Sequence, residues 1–218
     1  MRTIGLLGGM SCESTAVYYR LLNDLVRERL GGLHSADCLL RSVDFAEIAA
    51  LQQAGEWDAA GDRLAVEARR LQDAGAELVV LCTNTMHKVA DQIEAALDIP
   101  FVHIVDATAA RLREPGHATV GLLGTAFTME QDFYTERMAE HGITVLVPDT
   151  AERADVHRII YDELCVNRVE PASRARYQEI VAGLAARGAT AVISGCTEIG
   201  LLIGPGDVAI EFFDSTRQ

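Results

Sequence analysis

The chain has 218 residues, with 19 Lys and Arg against 32 Asp and Glu and a formal charge of −13. With 49% hydrophobic and 23% charged residues it reads as a globular chain long enough for one large domain or two small ones, which excludes a disordered polymer. The acidic balance and the lack of any Lys/Arg cluster argue against nucleic acid and membrane surfaces as partners, and no apolar run reaches the roughly 18 residues of a membrane span.

At the N-terminus, the apolar patch around Ile4 is interrupted by Gly8-Gly9 and the polar stretch Ser11 to Thr15 before a signal-peptide core forms, so the cytoplasm is the expected compartment. Short apolar runs then alternate with stretches of helical period, the pattern of βα units feeding a mainly parallel sheet. Strands are predicted at Thr3–Gly8, Leu39–Val43, Leu78–Leu81, Phe101–His103, Thr119–Leu123, Thr144–Val147, Ala191–Ser194 and Ala209–Phe213. A first helix follows Ser11, with Val17, Leu21, Leu22, Leu25 and Val26 as its apolar face, and Leu64, Ala68 and Leu71 mark the buried face of a later one. Further helices are expected near Met129–His141, Glu152–Leu164 and Arg174–Arg187.

Two stretches recur in the same order. Ile4-Gly5-Leu6-Leu7-Gly8 returns as Val120-Gly121-Leu122-Leu123-Gly124, and the run Gly75 to Thr83 returns without gaps as Gly188 to Cys196. Two similar halves are implied, each a small α/β domain with its own parallel sheet: an N-terminal domain over residues 1–105 and a C-terminal one over 106–208. The strand in 209–218 is free to return to the first.

In open α/β sheets ligands bind outside the carboxyl ends of the strands. The repeated strands run into Thr83-Asn84-Thr85-Met86-His87 and into Cys196-Thr197-Glu198, so two facing domains would present these loops to one cleft suited to a small anionic ligand. The register pairs Thr83 with Cys196. Strand alternation then turns Cys82 back into packing, although at a strand end, where the chain is turning, Cys82 stays open as the alternative cleft residue. Cys196 precedes a helix, whose N-terminus favours thiolate, while by position alone it reads equally as a buried strand-end packing residue. His87, one turn after Thr83, can orient a group by hydrogen bonding or sit on a helix surface. The five cysteines, odd in number and without C-x-x-C, fit neither a disulfide framework nor a zinc site and argue against a thiol redox protein. The six histidines show no metal-ligand spacing. Gly8-Gly9-Met10-Ser11 lacks the third glycine of a dinucleotide fingerprint and the lysine of a Walker loop.

Three motifs in order, Gly8-Gly9-Met10-Ser11-Cys12-Glu13-Ser14-Thr15, Cys82-Thr83-Asn84-Thr85-Met86-His87 and Gly195-Cys196-Thr197-Glu198-Ile199, resemble the aspartate/glutamate racemase family nearly end to end. The resemblance implies two pseudo-symmetric flavodoxin-like α/β domains with the active site in the cleft between them, an aspartate or glutamate substrate, no pyridoxal phosphate or other cofactor, and a homodimer. It implies that Thr83 and Cys196 exchange the α-proton on opposite faces of the substrate. Asn84, Thr85, Thr197 and Glu198 would hold its α-carboxylate and amino group, and Met10 and Gln52 would line the cleft. Gln52 by itself reads as a helix-surface residue.

The chain departs from the family pattern in three places. The first strand end carries Thr83 where C-N-T is usual, which matches a subgroup that looks L-specific. Cys12 stands where Trp is common. The lysine that several members use for the side-chain carboxylate is missing from Asp162-Glu163-Leu164-Cys165. A catalytically weak amino-acid-binding or regulatory protein of the same fold is the alternative. Asp214-Ser215-Thr216 reads as the cap of a helix, and family members commonly have one there.

Overall fold

The computed structural model describes residues 1–218, which divide into two compact units, Met1–His103 and Ile104–Gln218. The first unit runs β1 (Ile4–Gly8), α1 (Cys12–Leu30), β2 (Cys38–Ser42), α2 (Phe45–Ala54), α3 (Trp57–Asp73), β3 (Leu78–Leu81), α4 (Ala90–Ala95) and β4 (Phe101–Val102). Its four strands are parallel in the order β2-β1-β3-β4. Such a sheet must be covered on both faces. Alternation does this: Leu7, Val79 and Leu81 join Ile48, Leu64 and Met86 on one face, while Leu6 and Cys82 meet Tyr18 on the other.

The second unit runs α5 (Ile104–Arg113), β5 (Thr119–Leu123), α6 (Ala126–Glu130), α7 (Phe133–Glu140), β6 (Thr144–Leu146), α8 (Thr150–Asp162), α9 (Pro171–Ala186), β7 (Ala191–Ser194) and β8 (Glu211–Asp214). Its sheet, again all parallel, has the order β6-β5-β7-β8, so each unit repeats one topology and the recurring sequences form its second and third strands. Leu123 and Val192 face one core, and Val120, Leu122, Ala191 and Ile193 face the other.

Three expectations need correction. The last strand does not return to the first unit. Residues Glu211–Asp214 pair with Ala191–Ser194 at the edge of the second sheet, where Phe213 enters one core and Phe212 packs against the other. The predicted helix over Met129–His141 is two helices broken at Gln131, which is extended (φ −102°, ψ 141°). Met129 belongs to one core, Tyr134 and Met138 to the opposite one, and a single straight helix could not serve both. In α1 the buried stripe is Ser14, Thr15 and Tyr18, with Leu22 packed beside Tyr18; Val17 and Leu25 are exposed.

The reason for the shifted stripe lies in Gly8. A Cβ on Gly8 would stand 2.4 Å from the Thr15 side chain, and one on Gly9, at φ +98°, would stand 2.3 Å from the Val43 carbonyl. Gly8 lets α1 press Thr15 onto the strand end, while Gly9 makes room for the backbone at Val43, so sterics at Gly8 set the inner face in place of hydrophobicity.

Candidate active site

In the first unit the turn from β1 into α1 is held by side chains. Ser11 caps α1 by accepting from the Ser14 amide, and Thr15 accepts from the Gly9 amide at 2.9 Å while donating to the Ser11 carbonyl at 2.8 Å. Met10 is buried in the core beside Met86. Gln52 is buried as well, and not on a helix surface; its amide donates to the Met86 sulfur at 2.9 Å.

Beyond β3 the alternation continues. Cys82 is fully buried against Leu6 and Tyr18, and burial pushes its thiol up to about 12. Thr83 is half-buried on the next position. Asn84 is buried, Thr85 half-buried, and Thr85–Val89 forms a single 3₁₀ turn. His87 is buried rather than on a surface, and its Nδ1 lies 2.8 Å from the Thr83 carbonyl oxygen. Lys88, the chain's one lysine, holds its ammonium 4.3 Å from the ring centre of Trp57, the one tryptophan. Cys12 is exposed in the first turn of α1, where its thiol donates to Glu13.

In the second unit Cys196 is half-buried two residues past β7, in an extended conformation, before a 3₁₀ turn over Thr197–Leu201. Its thiol donates to Glu198 Oε2 at 3.0 Å, and the Thr197 hydroxyl donates to the same oxygen at 3.0 Å. Expectation is reversed here. Burial first, then the Glu198 carboxylate, push the Cys196 thiol well above its ordinary value. One 3₁₀ turn is too short to offset a full negative charge on the sulfur's hydrogen-bond partner.

The Cys196 strand end is braced from behind. The Ser194 hydroxyl donates to the Cys196 carbonyl at 3.0 Å, and the Ser215 hydroxyl donates to the Ser194 carbonyl at 2.9 Å from just beyond β8. Asp214 caps a one-turn 3₁₀ helix over Ser215–Arg217 by accepting from the Thr216 amide at 3.0 Å. Cys165 is exposed on a 3₁₀ turn, Leu164–Val166, that packs against the turn following Cys196. Burial first, then the neighbouring Glu198 carboxylate, push the Tyr161 hydroxyl on α8 above its ordinary value. Sequence reasoning missed Tyr161, Ser194 and Ser215, because no spacing links residues brought together by sheet packing.

Both units thus carry polar residues at the carboxyl ends of their repeated strands. The sequence profile of the Asp/Glu/hydantoin racemases matches residues 7–217, and the chain belongs to that family. It is 24% identical over 219 residues to the broad specificity amino-acid racemase RacX of Bacillus subtilis, a match covering 98% of this chain and 92% of that one. A crystal structure of a candidate Asp/Glu racemase from Yersinia pestis is 50% identical, with a TM-score of 0.95 over 100% of this chain and 95% of that one. The structure of an aspartate racemase homologue from Pyrococcus horikoshii is 34% identical, with a TM-score of 0.89 over 100% of this chain and 95% of that one. The family is one of racemases, which makes isomerase the activity class. No helix is long and apolar enough to cross a membrane.

Proposed function

We propose that this chain is a cofactor-independent racemase of aspartate, glutamate or both that favours the L-enantiomers. The observation that carries the reading is the Cys196 thiol donating to the Glu198 carboxylate at the strand end, in the repeat position matching Thr83 of the other unit. On this reading Thr83 and Cys196 serve one reaction, in a cytoplasmic homodimer, with Met10 and Gln52 lining the substrate site.

An α-hydrogen beside a carboxylate is hardly acidic, so the base must be strong and the developing carbanion must meet preorganised donors. The thiol passes its proton to Glu198, and the resulting thiolate takes the α-proton of the L-substrate. The Thr83 hydroxyl, or a water beside it, gives a proton to the opposite face; solvent then restores that hydroxyl and takes the proton held by Glu198. Asn84, Thr85 and Thr197 hold the substrate's α-carboxylate and amino group. Pyridoxal phosphate would need a lysine for its Schiff base, and the one lysine is engaged over the Trp57 ring. With Lys absent from Asp162-Glu163-Leu164-Cys165, an arginine or neutral donors take the side-chain carboxylate.

A hydroxyl is a far weaker acid than a thiol, so Thr83 donates more readily than it abstracts. Enantiomers have equal free energy, which forces kcat/KM to match in the two directions. The preference therefore reads out in kcat and KM separately and in α-proton exchange. The test is NMR in D₂O of L-Asp, L-Glu and their D-forms with wild type and Cys196→Ala. The L-forms lose their α-proton signal faster than the D-forms, and Cys196→Ala abolishes the loss. Thr83→Cys brings the D-side rate up toward the L-side. No exchange with any of the four would make the chain a binding or regulatory protein instead, detected as a ligand-dependent rise in melting temperature.

A further inference from the structure

We infer that His87 is a positioning residue for the Thr83 half of the reaction, an inference that rests on the role proposed for Thr83 above. The ring is 3% exposed, and its Nδ1 stands 2.8 Å from the Thr83 carbonyl oxygen. A carbonyl only accepts, so Nδ1 carries the hydrogen and the tautomer is fixed. The His87 amide also donates, at 3.0 Å, to the Asn84 carbonyl. The segment from Thr83 to His87 is therefore closed on itself by two bonds from one residue.

The ring is itself held in place. It packs edge-on against His103, with centres 4.5 Å apart, and lies 5.8 Å from Phe101, while Phe101 and His103 stack edge-on at 6.1 Å. Phe101 and His103 sit on and just beyond β4, the strand hydrogen-bonded to β3, so the cage is anchored to the sheet that carries Thr83. A peptide bond is planar and trans, so pinning the Thr83 carbonyl sets both the Thr83 backbone torsion and the direction of the Asn84 amide. The hydroxyl of Thr83 takes its direction from that backbone. Proton delivery tolerates little misplacement, and a shift of about 1 Å can cost on the order of a hundredfold in rate. His87 thus acts through Thr83 on one face of the substrate only.

The test uses His87→Ala and His87→Asn with L-Asp and L-Glu in D₂O, separating deuterium gained by the L-enantiomer from appearance of the D-enantiomer by chiral chromatography with mass detection. Cys196 supplies the first process alone, whereas the second needs Thr83. His87→Ala is expected to lower inversion about tenfold or more while deuteration of the L-enantiomer stays within about twofold. His87→Asn, whose side-chain amide can donate from near the Nδ1 position, recovers most of the inversion. The readout is a ratio within one sample, so a smaller folded fraction leaves it unchanged. Parallel loss of both processes in His87→Ala, unchanged inversion, or an Asn variant no better than Ala would each overturn the inference. Thr83→Ala separates the two readings: inversion at the wild-type rate there removes the role of Thr83 and the inference with it, while lost inversion there with intact inversion in His87→Ala removes only the role of His87.

Discussion

Glu198 decides the resting state of Cys196. A carboxylate accepting from the thiol at 3.0 Å, in a site partly shut off from water, keeps the sulfur protonated well beyond neutral pH. Replacing Glu198 by Gln removes both the negative charge and the stronger acceptor, so the thiol should ionise at lower pH. The measurement is iodoacetamide alkylation of the Cys196 peptide followed by mass spectrometry across pH. The wild-type inflection lies above the ordinary thiol range, and that of Glu198→Gln falls toward it. Racemisation should nonetheless drop in Glu198→Gln, because the variant has lost the acceptor for the thiol's proton. The sequence sets Glu198 two residues after Cys196, and the family resemblance implies a substrate contact for it. Only the geometry reveals that the carboxylate bonds the sulfur first.

At the level of elements, β2 is tied to α3 through one buried carboxylate. Glu67 is fully buried on α3 and accepts from Arg70 at 2.8 Å, from Arg63 and from Arg41 of β2. The hydrogen bond from Arg41, then those from Arg63 and Arg70, outweigh burial and hold its carboxyl at about 2. A carboxyl depressed on folding contributes stability that is present above its unfolded value of 4.5 and lost as pH falls toward 2. The expected outcome is acid unfolding within that window. Glu67→Gln should lose about 3 kcal/mol at neutral pH and flatten the acid limb, as read by denaturant melts. Nothing in the sequence marked Glu67, since a glutamate in a helix of charged residues reads as a solvated one. Strand positions, by contrast, were legible nearly to the residue, because a strand buried on both faces is an unbroken apolar run bounded by polar residues. The inner face of α1 was not legible. It is chosen by close approach to Gly8, and apolar periodicity carries no information about that. The break at Gln131 escaped for a related reason: which of two cores a helix turn joins is a tertiary matter.

For the whole molecule, the internal repeat resolves into two units of one strand order, each with cores on both faces of its own sheet. The family match spans both, and the polar residues at each strand end are held by their own unit. That division shows how a duplicated plan can carry unequal ends: Thr83 rests on a cage of rings, Cys196 on a ladder of serine hydroxyls, and a change in one leaves the other's supports intact. The contact between Lys88 and Trp57 then has a spectroscopic meaning. All indole fluorescence of the chain arises at Trp57 in the first unit, with a cation over the ring from the very turn that follows Thr83 and Asn84. Emission intensity therefore watches the turn that follows Thr83 and Asn84, and during unfolding it follows one unit alone while circular dichroism follows both. Where the two curves separate, the halves melt independently; where they coincide, the duplicated plan unfolds as one cooperative body.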